Sequence, residues 1–385
     1  MNQLDEFVSQ FASAVWGLPL VILLIGGGLY LLILSNFLPF RYLGHSLDLL
    51  RGKYNNPNDP GEINHFQSLS TALSSTVGMG NIAGVAVAIA LGGPGAIFWL
   101  WVSAVVGMAT KFFTNTLAVM YRGKDTQGNI QGGVMYFIEE GLGKKWKFMA
   151  IFFSVAGLIG ALPVFNVNQL TQAINFILLE PNNIPTGFGT NLIIGIILVI
   201  LTSVVILGGL QRISKTVSRL VPAMVALYFV SVIIILIVNY DVVPYYFSTI
   251  FTDAFAAENY KGEPMLGGVL GGLIILGVRR GAFSNEAGIG TATMAHGASK
   301  TSEPVREGLV AMLGPAIDTL VVCTLTALCI LVTGIWQTTD VNGVSLTAAA
   351  FEDSIPYVGD YLLLLCIAAF SISSLFSFSY YGTKC

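Results

Sequence analysis

The sequence predicts an all-α polytopic membrane protein, and its composition and hydropathy pattern carry that prediction. The chain has 385 residues, of which 54% are hydrophobic and only 10% are charged, whereas about 25% of residues are charged in soluble domains. The net charge of −3 indicates no polyionic partner. This composition excludes a disordered chain, a nucleic-acid binder and an ordinary cytosolic enzyme.

Apolar stretches long enough to cross a bilayer recur along the whole chain. A helix needs about 20 apolar residues for one crossing, and only the seventh stretch is clearly shorter. The first is too long for a signal-peptide core and lacks a basic region before it, so we take it as a true span. The predicted spans lie at 14–40, 66–91, 94–121, 148–178, 190–209, 217–239, 266–278, 308–333 and 358–382.

The basic residues predict the orientation. If these spans simply alternate, 16 of the 18 Lys and Arg residues fall on one side, in the segments 41–65, 122–147, 210–219 and 279–306 and at Lys384. Basic loops remain in the cytoplasm. We therefore expect a multi-pass protein of a bacterial or archaeal plasma (inner) membrane, surrounded by lipid, with its N-terminus outside.

The second span is expected to be broken near its middle. Small and polar residues interrupt its apolar sequence there, and glycine costs about 1 kcal/mol per helix position relative to alanine. Unwound backbone within a membrane is tolerated only where it lines a cavity. The alternative is a small-residue packing seam formed by Gly78, Gly80 and Gly84. The interrupting residues are Ser74, Ser75, Thr76, Gly78, Gly80 and Asn81.

The seventh span predicts a second interruption, in the opposite orientation. It is short and contains Gly267, Gly268, Gly271 and Gly272. Two broken helices of opposite direction, each opening one half, are typical of inverted-repeat transporters, which bind substrate and ion between the breaks. We expect one transmembrane domain over 1–385, with an extra helix at 14–40.

The two predicted halves differ in length. The first repeat covers 66–239 and holds five spans, whereas only three spans follow in the second repeat, over 266–385. We therefore expect the second half to lack its last two helices in the chain as given.

Several blocks of the sequence resemble the alanine/glycine:cation symporter family, the sodium:alanine symporters. The resemblance covers nearly the whole chain and implies a five-plus-five inverted repeat of the leucine-transporter type, preceded by one extra helix. The blocks are TALSSTVGMGNIAGVAVAIALGGPGAIF at 71–98, WLWVSAVVGMATKF at 99–112, GG-MY at 132–136, RRGAFSNEAGIGTA at 279–292, DTLVVCT at 318–324 and YYG at 380–382.

The resemblance also implies a set of site residues. The amino acid would contact Thr76, Gly78, Met79, Gly80 and Asn81 of the second span, together with Asn166 and Asn168 of the fourth, where the family carries a glutamine and an asparagine. Sodium would be bound by Thr76, Val77, Ser373 and Ser374, the two serines replacing the family's paired threonines. The glycines of the seventh span, Gly271 and Gly272, would line the opposite side of the substrate site.

Two carboxylates have open roles. Asp318 lies deep in the eighth span, where a carboxylate is costly and is usually functional or paired. It is either a proton or cation relay or a hydrogen-bonded structural group, and we favour the structural interpretation. Glu286 either contributes to a gate by pairing with Arg279 or Arg280, or belongs to a helix end capped by Ser284.

The predicted function is sodium-coupled import of small neutral amino acids, alanine or glycine, by alternating access. Sodium is the expected coupling ion, and no cofactor is expected. A proton-coupled amino-acid transporter and a non-transporting amino-acid sensor on the same scaffold are the alternatives. An enzyme would need a polar catalytic constellation at membrane depth, and a channel would need a pore loop or rings of like charge. The sequence presents neither pattern.

Overall fold

The computed structural model describes residues 2–125, 128–265 and 267–385, and these residues are mostly helical. A two-stranded hairpin pairs β1 (Gly123–Lys124) with β2 (Ile130–Gln131) in antiparallel register. The principal helices are α1 (Asn2–Val15), α2 (Leu18–Leu34), α3 (Leu43–Leu50), α4 (His65–Thr76), α5 (Gly80–Gly92), α6 (Gly95–Met120), α7 (Val134–Leu142), α8 (Lys147–Gly160), α9 (Val164–Ile174, continued by Asn175–Leu179), α10 (Phe188–Ile206), α11 (Gly209–Val238), α12 (Val243–Ala256), α13 (Gly268–Asn285), α14 (Ala292–His296), α15 (Pro304–Thr333), α16 (Val344–Ser354) and α17 (Gly359–Lys384).

Seven of the nine predicted spans correspond to apolar helices of spanning length, whereas the first is shorter and α13, at the seventh, does not meet that criterion. Among the described residues, six helical stretches are long and apolar enough to cross a membrane, and the pair α4–α5 forms a seventh with a 53° bend. The predicted first span is divided, because a helix ends at Val15 and α2 covers only Leu18–Leu34. The helices α12 and α16 lie in segments that the sequence predicted only as loops between spans.

The broken second span is confirmed, and its first half is well defined. Asn64 caps α4 by accepting from the Gln67 backbone N–H at 2.8 Å, while the Gln67 side chain accepts from the Asn64 N–H at 3.1 Å. This reciprocal box satisfies two donors that a helix start otherwise leaves free. The helix ends at Thr76, and helical backbone resumes at Gly80.

The predicted interruption at the glycines of the seventh span is wrong. The helix α13 runs unbroken through Gly271 and Gly272, and a Cβ on Gly272 would lie 2.5 Å from the Tyr260 hydroxyl. A Cβ on Gly277 would lie 2.6 Å from the Ala96 carbonyl oxygen of α6. These glycines therefore allow close packing of neighbouring backbones, as small residues do in membrane helices.

The irregular backbone in this region lies after α13. Three residues in the turn between α13 and α14 have positive φ angles: Glu286 at 52°, Gly288 at 89° and Gly290 at 96°. Glycine adopts this backbone region without the steric cost that a Cβ imposes. The irregular backbone thus lies about 14 residues beyond Gly272, at the segment SNEAGIGTA.

A buried polar cluster joins three elements at one end of the bundle. The Glu307 carboxylate of α15 accepts from His65 of α4, from His296 Nδ1 at 2.6 Å, from Ser68 Oγ at 2.5 Å and from Ser299 Oγ at 2.8 Å. All five side chains are essentially inaccessible. Four donors compensate the buried carboxylate, which would otherwise carry a large desolvation cost.

Candidate functional site

The break between α4 and α5 is held open by two asparagine side chains. Asn81 Oδ1 accepts from the Gly78 N–H at 2.9 Å, and Asn166 Oδ1 accepts from the Met79 N–H at 3.3 Å. These bonds satisfy backbone donors that the interrupted helix leaves without intrahelical partners. Asn166 lies on α9, so the break is fixed both from within its own span and from a neighbouring one.

A cavity of about 340 Å³ lies directly against this break. Its volume falls within the usual range for small-molecule sites. The turn between α13 and α14 contributes Glu286, Ile289 and Thr291 to the same cavity, so this turn and the break of the second span meet at one place. The lining residues are Trp16, Ser75, Thr76, Gly78, Gly80, Phe153, Ala156, Gly157, Gly160, Leu162, Pro163, Phe165, Asn166, Phe283, Glu286, Ile289, Thr291 and Phe378.

One wall of the cavity is polar and carries a buried carboxylate. Glu286 Oε2 accepts from Thr291 Oγ1 at 2.5 Å and from Ser75 Oγ at 3.4 Å. The Ser75 hydroxyl also lies 3.3 Å from the Tyr381 hydroxyl of α17. The described contacts of Glu286 therefore face the cavity wall and α4, and do not include the expected pairing with Arg279 or Arg280.

Another part of the cavity lining is aromatic. The rings of Phe165 and Phe283 meet edge to face, with centroids 5.3 Å apart and planes at 88°. Trp16 packs on Phe283 from the other side, at 6.4 Å and 60°. Edge-to-face pairs of this kind hold rings in defined positions. The cavity lining thus combines apolar aromatic surface with hydroxyl, amide and carboxylate groups.

Asp318 lies beside the break, and both of its carboxylate oxygens accept hydrogen bonds. Its Oδ1 accepts from Asn81 Nδ2 at 2.7 Å, and its Oδ2 accepts from Ser284 Oγ at 2.7 Å and Thr319 Oγ1 at 2.8 Å. It is fully buried and does not line the cavity. These contacts fit the structural interpretation, because one carboxylate joins α5, α13 and α15. Lys111 is close enough to interact electrostatically with both Asp318 and Glu286.

The two serines of α17 occupy different positions relative to the break. Ser374 faces it, since a Cβ on Gly78 would lie only 2.7 Å from Ser374 Oγ. The Ser373 hydroxyl donates to the Phe370 carbonyl at 2.8 Å and contacts Met224 Sδ of α11 at 3.4 Å. Thr76 Oγ1 bonds back to the Ala72 carbonyl at 3.3 Å. Ser374 therefore lies against the break at Gly78, whereas Ser373 is directed towards α11.

Five of the nine predicted substrate residues do not line the cavity: Met79 and Asn81, which are buried at the break, and Asn168, Gly271 and Gly272. Asn168 is exposed and accepts from its neighbour Gln169 at 3.2 Å, because a residue two positions from Asn166 points to the opposite side of a helix. Gly271 and Gly272 lie within α13 and do not line the cavity. Sequence reasoning in turn missed Thr291, although it lies in the GIGTA block, and it missed Trp16, for which the sequence carries no local signal.

The fold and the site together define a class of protein. The structure combines several apolar helices of spanning length, one bent span and a partly polar cavity lined by unwound backbone. Irregular backbone in a membrane helix is stable only against protein or a cavity, and secondary transporters use such breaks to bind their cargo. These features are those of a multi-pass membrane transport protein.

The comparisons with known proteins identify the family. The family profile described as the sodium:alanine symporter family matches residues 1–385. The sodium/alanine symporter AgcS of Methanococcus maripaludis is 40% identical over 386 residues, which cover 99% of this chain and 82% of that protein. The probable sodium/glutamine symporter GlnT of Bacillus subtilis is 36% identical, covering 99% of this chain and 77% of that protein. The chain belongs to the sodium:alanine symporter family.

A solved structure shares the fold. The crystal structure of MhsT in complex with L-phenylalanine matches with a TM-score of 0.60 at 16% identity, covering 83% of this chain and 73% of that one. MhsT has the leucine-transporter fold, so the expected fold class is confirmed at that level. Membership of a symporter family also confirms that the protein is not an enzyme and makes sodium the family's coupling ion.

Proposed function

We propose that this protein is a sodium-coupled symporter that imports small neutral amino acids, alanine and glycine, across a plasma (inner) membrane by alternating access. The observation that carries the proposal is the cavity where the break of the second span and the turn between α13 and α14 meet. It combines backbone polar groups, a buried carboxylate and an aromatic wall within about 340 Å³. A zwitterion with a very small side chain matches that combination in charge and in size.

The amino acid's charged groups have complementary partners in the proposed site. The N-terminus of α5, which begins at Gly80, presents backbone N–H groups, and such helix ends attract a carboxylate. Glu286, only 7% exposed at the cavity wall, supplies negative charge for the ammonium group. Thr76, Gly78 and Asn166 line the space between these two ends, while Met79 and Asn81 are buried behind it and hold the break through their hydrogen bonds.

Sodium is proposed to bind beside the substrate at the break. Hydroxyl and carbonyl oxygens form the donor set that hard cations prefer, and they are available from Thr76, Val77 and Ser374. We assign Ser374 the direct role, because its hydroxyl faces Gly78. Ser373 would join the ion only by turning its hydroxyl away from Met224.

The organisation of the chain completes the proposal. We propose that 14–40 forms an extra element, that 66–239 forms the first repeat and that 266–385 belongs to the second, with the N-terminus outside. The broken span α4–α5 and the interrupted span α13–α14 are then the leading spans of the two repeats. Their meeting at one cavity supports this arrangement.

Proton coupling is the second candidate, and Glu286 is the observation that favours it. A buried carboxylate at a cavity wall is a group that can exchange a proton with a transported solute. One relative, in Bacillus subtilis, is named a putative sodium/proton-dependent alanine carrier, at 35% identity. In this alternative Glu286 acts as the relay, and the network around Asp318 passes the charge change to neighbouring helices.

Uptake of labelled alanine into proteoliposomes separates the two candidates. An inward sodium gradient at equal pH on both sides should drive accumulation, and a pH gradient in sodium-free potassium buffer should not. Accumulation with the pH gradient alone would establish proton coupling instead. No accumulation under either gradient would contradict transport of alanine by this protein.

A further inference from the structure

We propose that the segment preceding the first repeat forms part of the substrate cavity and that Trp16 limits the size of the side chain the cavity accepts. This inference rests on the proposed amino-acid transport and adds to it a specificity-determining residue outside both repeats. Trp16 lines the cavity itself and contacts Phe283, another lining residue. The segment around Trp16, which precedes the first proposed repeat, thus contributes a residue to the cavity.

Trp16 occupies a joint between two helices. The helix α1 ends at Val15 and α2 begins at Leu18, with Pro19 in its first turn. Gly17 between them is buried, and Trp16 is half-buried. Proline in the first helical turn fixes the start of α2, so the direction in which the chain enters the cavity region is defined by the sequence.

Two close contacts fix the position of α2, one with α6 and one with the turn between α13 and α14. A Cβ on Gly28 would lie 3.0 Å from both Cβ and the carbonyl oxygen of Val106, so α2 packs tightly on α6 at this point. The Leu24 side chain fills the space beside Gly288, where a Cβ would meet it. Leu24 therefore covers the turn that carries Glu286, and α2 supports the cavity wall from outside.

A series of aromatic contacts connects Trp16 to the unwound backbone at Gly80. Trp16 contacts Phe283, Phe283 contacts Phe165, and a Cβ on Gly80 would lie 3.5 Å from Phe283 Cδ1. Phe283 is thus confined between Trp16 and the break. Removal of the indole would enlarge the cavity directly and would also let the Phe283 ring move away from Gly80.

The residues around Trp16 indicate which property of the substrate side chain the cavity selects. Trp16, Phe283 and Phe165 give this corner an apolar surface, and the carboxylate and hydroxyl groups of the lining belong to other residues. A side chain directed towards Trp16 is therefore selected by size rather than by hydrogen bonding. In an apolar pocket, one methylene changes the specificity ratio by about 10- to 200-fold, so an indole-sized change should alter the preference between alanine and larger neutral amino acids.

The test compares kcat/KM for sodium-driven uptake of alanine and of leucine in proteoliposomes. Trp16→Ala should raise the leucine-to-alanine ratio by roughly tenfold or more, and Trp16→Phe should raise it less. Trp146→Ala is the matched control, because Trp146 is 44% exposed, stacks on Phe148 and does not line the cavity. Its ratio should equal that of the unmodified protein.

The outcomes separate this inference from the function on which it rests. An unchanged ratio in Trp16→Ala, whether uptake of both amino acids falls equally or stays constant, would overturn the inference and leave a structural role alone. If Trp16→Ala does not reach the membrane, the ratio measured for Trp16→Phe decides. Absence of alanine uptake by the unmodified protein would overturn the proposed function and, with it, this inference.

Discussion

Two asparagines two positions apart on α9 differ completely in their surroundings. Asn166 is 7% exposed, lines the cavity and accepts from the Met79 N–H of the broken span. Asn168 is exposed and contacts only its neighbour Gln169 among the described hydrogen bonds. The sequence resemblance assigned both to the substrate, since it identifies a pattern of residue types and does not show which side of the helix faces the break.

Asn166→Ala should weaken alanine binding at least about tenfold. The substitution leaves the Met79 N–H without its partner and removes a polar group from the cavity, and an unsatisfied buried donor costs about 1–3 kcal/mol. Asn168→Ala is the matched control and should bind alanine with unchanged affinity. The Kd for alanine in sodium buffer, measured by calorimetry on the purified proteins, checks this. Equal effects of the two substitutions would contradict the assignment of Asn166.

Among the helices, the glycines show how far helix breaks can be predicted from the sequence. The break after Thr76 was predictable, because polar and small residues interrupt a long apolar stretch. The predicted second break is wrong, since the glycines of α13 serve close packing against α6 and Tyr260 rather than a turn. Glycine has both uses, and the distinction depends on long-range neighbours. The left-handed backbone conformation of Glu286 could not be predicted from the sequence, because glutamate rarely adopts it.

Gly78→Ala should abolish or strongly reduce sodium-driven uptake. Its Cβ would lie 2.7 Å from Ser374 Oγ and 3.3 Å from Asn166 Oδ1, so the added methyl would occupy the space between the break and α17. Gly84→Ala is the control in the same span, because nothing lies within 4 Å of its added Cβ. Uptake rates of labelled alanine under a sodium gradient give the comparison.

The Gly84 control also tests the packing-seam interpretation of this span. If Gly78, Gly80 and Gly84 formed one helix-packing surface, both alanine substitutions would impair folding in parallel. Normal activity in Gly84→Ala together with loss of activity in Gly78→Ala supports the break. Normal activity in both variants would contradict the close approach of Ser374 to Gly78.

At the scale of the whole molecule, the polar clusters hold the unwound elements in place. The cluster around Glu307 joins α4, the segment after α14 and α15, while Asp318 joins α5, α13 and α15. Each half of the broken span is thus tied to α15 through a buried carboxylate. Hydrophobic patterning predicted the spans, but these clusters combine residues up to 242 positions apart, and no local pattern encodes such a pairing.

Glu307→Gln should destabilise the protein by about 3–5 kcal/mol, the usual cost of breaking a buried charged network. The new amide would direct N–H donors at groups that already donate, so at least one of His65, His296, Ser68 and Ser299 would lose its acceptor. Glu303→Gln, at an exposed position four residues earlier, should be neutral. Thermal unfolding of the purified proteins measures both. Equal melting temperatures would show that the Glu307 charge is not needed for stability.

The central claim is that the amino acid and sodium bind side by side at the interrupted spans. Adjacent binding requires reciprocal coupling, so each ligand should raise the affinity of the protein for the other by the same factor. The most direct measurement is the Kd for alanine in the purified protein, determined by calorimetry as sodium replaces potassium at constant ionic strength and pH. We predict that alanine affinity rises at least about tenfold with saturating sodium. An alanine Kd that is identical in sodium and in potassium would contradict the claim.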